Sequence, residues 1–347
     1  MCFSISVCEP RPGMSAAAAC LGDNRSNARF RDQLADAMRA AGITAIGGAI
    51  QTLTLEEPRT QAAGDVVIDV AAAGVGNWDE LARTGSWRIG GPPPMALGVE
   101  AAGTIAAITE GVEPLAIGDE VLVHALPLRR NGMWAQRVVV AAGDVAPKQS
   151  NLDVAAAAAF PVPALTASQA IDDALAVESG DWLLVNGASG VTGSLLVQLG
   201  VLQGAAVIAT ASKSNASRLV GYGAREVLDY HDDQWPDLAR EITRGEGVTK
   251  AANAARGRAG TALRAVADGG RLATITSDPP DSERGVTVST VYVSPSGERL
   301  ASLAKLFSEG VLALDIAAVH PLDEAPTALA EAASGHMPGA VVLSLAN

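Results

Sequence analysis

Gly187, Gly190 and Gly193 stand in the run Asn186-Gly-Ala-Ser-Gly-Val-Thr-Gly193, between the apolar stretch Asp181-Trp-Leu-Leu-Val185 and a longer apolar one. A strand that turns directly into a helix needs small residues, and a pyrophosphate needs close access to backbone amides. The helix start then offers free N–H groups and the positive end of its dipole. Alone, a glycine run could be a plain turn. Here it follows a strand, opens a helix and precedes a second strand at 205–212, which predicts a dinucleotide site.

The end of that second strand bears on which dinucleotide binds. An acidic residue there would accept from the ribose 2′-OH of NAD. The chain instead reads Ile208-Ala-Thr-Ala-Ser-Lys213. Ser212 and Lys213 offer a hydrogen bond and a charge to a 2′-phosphate, with Arg218 as a further candidate. The competing reading is an ordinary solvated lysine. NADPH is the expected cofactor. No Ser-His-Asp order and no convincing general base is visible. His124, on a strand expected to face the cleft, is the best titrating candidate, against a structural reading for a lone histidine. Trp78 and Trp87 either line an apolar, planar pocket or pack in the core.

Two patterns of element must hold these residues. From Met38 to about Phe160, short β-like runs sit between glycines and prolines, clearest at 66–75, 104–109, 120–126 and 134–140, predicting a compact strand-rich unit. The Gly-Gly-Pro-Pro-Pro run at 90–94 must be a loop, because successive prolines remove backbone donors. From Pro161, strand and helix alternate. Helices are expected near Asn215–Tyr222 and Gly260–Ala267, and strands at 225–230, 248–255 and 271–277. This βαβαβ order predicts a parallel sheet covered on both faces. The tail adds a strand at 286–293, a helix near Glu298–Gly310 and a closing strand at 340–345. Residues 1–37 read as an appendage, disordered or ahead of a natural start at Met38. Phe30, Leu34 and Met38 are spaced for a short helix over Asn27–Ala41.

Composition excludes some classes of function. Lys plus Arg number 25 against 38 Asp plus Glu, and the net charge of −13 argues against a nucleic-acid partner. No run of about 18 apolar residues escapes polar interruption, so no membrane helix is expected. The cysteines, Cys2, Cys8 and Cys20, all precede the body. No disulfide or thiolate zinc site can form in that body, which fits a reduced, cytoplasmic protein. With 347 residues, 48% of them hydrophobic, the chain can build two packed domains.

Together the motifs resemble the medium-chain dehydrogenase/reductase superfamily, specifically its zinc-free, quinone-oxidoreductase-like branch. The resemblance runs from about Met38 to Asn347. It is carried by AAGVGNWDELARTG (72–85), GVEAAGTIAAITEGVEPLAIGDEV (98–121), ALTASQAI (164–171), NGASGVTG (186–193) and PLDEAPTALAEAASGHMPGAVVLSL (321–345). It implies an α/β fold. A GroES-like, strand-rich substrate domain (38–160 and 294–347) would join a Rossmann domain (161–293), a doubly wound parallel sheet, with the cleft between them. It implies Thr166 near the nicotinamide end and Ala188, Ser189, Gly190 and Val191 at the pyrophosphate. Ser212, Lys213 and Tyr230 would meet the adenosine phosphate. It also implies a homodimer paired through edge strands, here 286–293.

Zinc alcohol dehydrogenases carry a cysteine in the segment that reads Gly74–Asn77 here, and a His-Glu pair where this chain has Val99-Glu100. Their four-cysteine lobe is absent too, so no metal is expected and Glu100 is read as structural or as supporting the site residues from behind. Quinone-reductase-like members usually have Asn at the position of Gly76, and Asn77 here is one residue late. Some place tyrosines where this chain has Leu81 and Trp87. Asp79 matches the motif and reads as a buried loop anchor. The expected reaction is hydride transfer from NADPH to a quinone or to the β-carbon of an enone, a planar or conjugated carbonyl. Its growing oxyanion would meet the cofactor ribose hydroxyl, Asn77 or a backbone amide. Asn77, Trp87 and His124 are the candidate catalytic residues. One alternative is an enoyl reductase dedicated to a pathway such as polyketide tailoring. Another, of a different class, is a non-catalytic NADPH-binding sensor, motivated by the missing Asn and tyrosines.

Overall fold

The computed structural model describes residues 37–60, 62–128 and 131–345. The first half holds strands β1 (Ala37–Ile43), β2 (Gln51–Glu56), β3 (Asp65–Val75), β4 (Met95–Ala96), β5 (Glu100–Ile108), β6 (Glu120–His124), β7 (Arg137–Ala141) and β8 (Val145–Pro147). Helix α1 (Asn77–Thr84) interrupts them, and α2 (Val154–Ala158) and α3 (Pro161–Ser168) follow. Then strand and helix alternate: β9 (Trp182–Asn186), α4 (Val191–Leu202), β10 (Ala206–Ala211), α5 (Ala216–Gly221), β11 (Glu226–Asp229), α6 (Trp235–Ile242), β12 (Val248–Asn253), α7 (Ala259–Ala265), β13 (Val266–Thr274) and β14 (Thr287–Thr290). The tail is α8 (Gly297–Ser308), β15 (Ile316–Pro321), α9 (Ala325–Ser334) and β16 (Ala340–Ser344).

Strands β9 to β14 form a parallel sheet in the order β11-β10-β9-β12-β13-β14. The order reverses between β9 and β12, and a crevice opens at the carboxyl ends of such strands. Leu183 and Val185 of β9, with Val207 and Ala209 of β10, enter the core shared with α3, α4 and α8. Leu184 and Ile208 point the other way, onto Trp235, Ala239, Ala262 and Leu263 of α6 and α7. Both faces are buried, so these strands read as continuous apolar runs.

The second large sheet runs β15-β16-β3-β5-β6-β8, with β7 also on β3. Here β16 returns the end of the chain to β3, Val341 opposite Val75 and Ser344 opposite Ala72. A small antiparallel sheet, β2-β1-β4, completes the strand-rich part. The fold is therefore α/β, a GroES-like strand-rich domain with a parallel-sheet Rossmann domain.

Some elements differ from expectation. The part of the alternative Asn27–Ala41 helix within the described residues, 37–41, is strand β1, paired with β2 on one side and β4 on the other. Pairing partners far along the chain outweigh a local helical spacing. The rest of that segment lies outside the described residues. The strand expected at 134–140 starts at Arg137. Trp134 instead buries its ring, its Nε1 donating to the Gly74 carbonyl at 3.1 Å. The strand expected at 286–293 pairs only over Thr287–Thr290.

Candidate functional site

At the end of β9 the chain turns through Gly187, whose φ of +81° suits a residue without a side chain. Gly193 lets α4 press onto this turn, since a Cβ there would lie 2.2 Å from the Gly187 carbonyl oxygen. Gly190 faces open space: its Cβ would meet only Gly187 O, at 3.7 Å. The first helical bond runs from Ser194 N to Gly190 O at 2.8 Å. The amides of Val191, Thr192 and Gly193 precede it and have no acceptor within the helix. Ala188 is buried and Ser189 half-buried beside them. An open cradle with free amides and a helix dipole fits a pyrophosphate.

A buried polar chain holds this turn, and sequence reasoning missed it. The Gly187 amide donates to Thr210 Oγ1 at 3.0 Å, and Thr210 Oγ1 donates to Asn186 Oδ1 at 2.6 Å. Asn186 Nδ2 donates to Asn253 Oδ1 at 2.8 Å, and Asn253 Nδ2 to Thr274 Oγ1 at 3.1 Å. These residues sit near the carboxyl ends of β9, β10, β12 and β13, and all four are buried. Asp278 then accepts from Thr274, Thr276 and the Gly257 amide, tying together the loops after β12 and β13. A signal existed: each of four apolar strands carries one amide or hydroxyl at or next to its end. In a low-dielectric interior such bonds fix a single geometry.

At the far end of β10, Ser212 Oγ lies 2.9 Å from Ser214 Oγ and accepts from Asn215 Nδ2 at 3.0 Å. Lys213 is exposed. The Tyr230 amide donates to Ala211 O at 3.4 Å, which brings Tyr230 alongside Ser212 and Lys213. Its ring packs on His231 with centroids 4.2 Å apart. Arg218 differs from expectation. Its guanidinium donates to Ser189 O at 2.6 Å and to Asp315 at 2.9 Å, so it braces the glycine turn.

The residues expected at the substrate end begin at Gly76. A Cβ there would lie 2.2 Å from the Trp78 ring, so the indole fills the space a longer residue at 76 would need. The Trp78 Nε1 is buried with no hydrogen-bond partner among the described residues. Asn77, the first residue of α1, is exposed, and Trp87 is half-buried against the strand-rich core. Asp79 is buried in the first turn of α1, where it accepts from the Gly76 amide at 2.9 Å. It is a helix-start anchor rather than part of a loop. Thr166 is buried and spends its hydroxyl on the Val162 carbonyl at 2.7 Å.

Three buried titratable groups converge on residues 98–100. Burial pushes the Asp79 carboxyl up to about 7, although the amides of Gly76 and Gly98 pull it back. Glu100 Oε2 accepts from the Val162 amide at 2.7 Å, and burial holds this carboxyl well above the usual range. The expectation for His124 is corrected. It is fully buried and its Nδ1 lies 2.9 Å from Val99 O. A carbonyl only accepts, so Nδ1 carries the proton. Burial pushes the imidazole down to about 4, which leaves it neutral near pH 7 instead of titrating there.

Asp79 carries a pH prediction. Its folded value of about 7 exceeds the unfolded value of about 3.9. The stabilisation is therefore complete below about pH 4 and is lost as pH rises through 7. Asp79→Asn cannot titrate, so the parent's advantage over it in melting temperature is expected to shrink between pH 5 and pH 8. Parallel melting curves across that range would remove the assignment.

Among the described residues, no group of three or more His, Cys, Asp or Glu side chains could hold a metal ion. Asp79, Glu100 and His124 are instead each engaged by a different backbone group. No helix of the described residues is long and apolar enough to cross a membrane.

Comparison with known proteins gives two family matches. The alcohol dehydrogenase GroES-like domain matches residues 62–150, and the zinc-binding dehydrogenase family matches residues 222–343. The chain is 32% identical over 285 residues to the pikromycin polyketide synthase component PikAII of Streptomyces venezuelae, covering 78% of this chain and 7% of that one. It is 33% identical over 203 residues to a probable quinone oxidoreductase of Schizosaccharomyces pombe, covering 58% of this chain and 59% of that one. The chain thus spans less than two thirds of either relative. The crystal structure of an NAD-dependent alcohol dehydrogenase superposes with a TM-score of 0.79 at 28% identity, covering 89% of this chain and all of that one.

Proposed function

The chain belongs to the medium-chain dehydrogenase/reductase superfamily, and on that premise we propose that it is an NADPH-dependent, zinc-independent reductase of quinones or α,β-unsaturated carbonyls. One observation carries this reading. An open glycine cradle lies at the reversal of strand order, and Ser212 and Lys213 stand where an NAD-binding carboxylate would be. We take 161–293 as the cofactor unit and 38–160 with 294–347 as the substrate unit.

Bound NADPH supplies the hydride. The chain's own groups bind and orient. The amides of Val191, Thr192 and Gly193 receive the pyrophosphate, and Ser212 and Lys213 receive the 2′-phosphate beside Tyr230. At the start of α1, the Asn77 amide is the donor for the oxygen on which negative charge grows. His124, neutral and buried, is not the proton source, and solvent supplies the proton. A second reading, an enoyl reductase dedicated to one biosynthetic pathway, is favoured by the similarity to a polyketide synthase component. It shares the hydride chemistry and differs in substrate.

Strand β14 is one of the two edges of the parallel sheet, and nearby Tyr292 is 71% exposed, which supports a homodimer paired there. Sedimentation equilibrium should read twice the chain mass of 35.1 kDa, and a single chain mass removes the dimer. The main test is NADPH oxidation, followed by loss of nicotinamide absorbance, with a panel of quinones and enones and with NADH in parallel. Turnover preferring NADPH supports the proposal. Tight NADPH binding without turnover shifts it to a dedicated substrate or a non-catalytic binder. Failure to bind either nucleotide sinks it.

A further inference from the structure

Helix α3 has no side-chain cap of its own. Phe160 occupies its N-cap position and Pro161 has no N–H, so the first donor in need of a partner is the Val162 amide. The partner comes from β5, 62 residues earlier: Glu100 Oε2 accepts from it at 2.7 Å, and both residues are buried. The carbonyl of the same Val162 accepts from Thr166 Oγ1 at 2.7 Å. One residue is thus gripped by Glu100 through its amide and by Thr166 through its carbonyl. The neighbouring strand makes room for this carboxyl. A Cβ at Gly74 of β3 would lie 2.3 Å from Glu100 Oε1. Helix α3 in turn packs against α4, the helix that opens at the glycine cradle.

We propose that Glu100 is a positioning residue: it caps α3 from the strand-rich unit and, through Val162, sets where Thr166 stands, the residue that the family resemblance puts at the nicotinamide end of the bound cofactor. This rests on the dinucleotide reading above. What the role requires of residue 100 is reach and an acceptor oxygen, not charge. Gln keeps both, whereas Asp keeps the carboxyl group and stops one methylene short.

The test compares Glu100→Gln with Glu100→Asp in the full chain, because neither leaves a large cavity. Two readouts need no substrate: amide hydrogen exchange across 161–168 and the fluorescence of bound NADPH, which reports the surroundings of the nicotinamide. Glu100→Asp is expected to exchange faster at α3 and to shift the bound-cofactor emission, with NADPH affinity within about twofold of the parent. Where an acceptor turns over, kcat should fall about tenfold or more. Glu100→Gln should keep the parent's exchange and emission. Gly74→Ala, which displaces the carboxyl without substituting residue 100, should reproduce the Asp variant. A parent-like Glu100→Asp, or a Gln variant as impaired as the Asp one, overturns the proposal. A parent that binds no dinucleotide overturns the cofactor reading instead, and hydrogen exchange at α3 still decides whether Glu100 is the cap.

Discussion

Gly193→Ala is expected to weaken dinucleotide binding severely and to lower the melting temperature in the same variant. The added methyl would meet three backbone atoms of the turn: Gly187 O at 2.2 Å, Ala188 Cα at 2.9 Å and Gly187 C at 3.0 Å. Backbone cannot rotate aside as a side chain can, so α4 must move away from β9. Overpacking of this kind costs about 1–3 kcal/mol. The amides at the start of α4 move with the helix, so NADPH affinity should fall by about 100-fold or more. Gly190→Val is the control that separates the two effects. Gly190 has φ −71° and ψ 167°, a conformation valine adopts readily. Its side chain would project into open space. The empty variant should melt within about 0.5 kcal/mol of the parent, as exposed substitutions do. NADPH affinity should still drop steeply, because the side chain occupies the space the pyrophosphate needs. Thermal melts and NADPH titrations on both variants check this. A Gly190→Val protein that binds NADPH as the parent does would remove the pyrophosphate from this turn.

The second large effect is expected from Lys213→Glu. An exposed cation, with Ser212 beside it and Tyr230 close by, should pair with a 2′-phosphate. Hydrogen bonds to charged groups contribute about 1.5–3 kcal/mol, and the reversed charge adds repulsion. The kcat/KM with NADPH, or NADPH affinity where no acceptor turns over, should fall by about 100-fold. The same quantity with NADH should change by less than about threefold, because NADH carries nothing for residue 213 to hold. Equal losses with both nucleotides would return Lys213 to the ordinary solvated lysine that the sequence alone also allowed.

Legibility from sequence followed the range of the interactions involved. The glycine run, the strand before it and the helix after it are local. Gly187, Gly190 and Gly193 could therefore be read for what they permit. The unbroken apolar stretches around Leu184 and Ile208 likewise announced strands buried on both faces, and alternation with helices announced a parallel sheet. The missing acid after β10 was legible because the strand end fixes where that acid would stand. Met38 was not legible in the same way. Its spacing from Phe30 and Leu34 suggested a helix, but β2 and β4 supply hydrogen-bond partners that no local pattern records.

Sequence by itself determined the parallel sheet and the glycine turn, and pointed to a nicotinamide cofactor, since each depends on residues within one βαβ unit. Only the tertiary structure decided the roles of the polar residues outside that turn. It buried His124 against Val99 and so took away its charge near neutrality. It set the Trp78 indole over Gly76, and linked Asn186 to Asn253 and Glu100 to Val162 across 67 and 62 residues of chain. Burial and the choice of hydrogen-bond partner belong to the packed whole, and the pKa of a side chain follows from both.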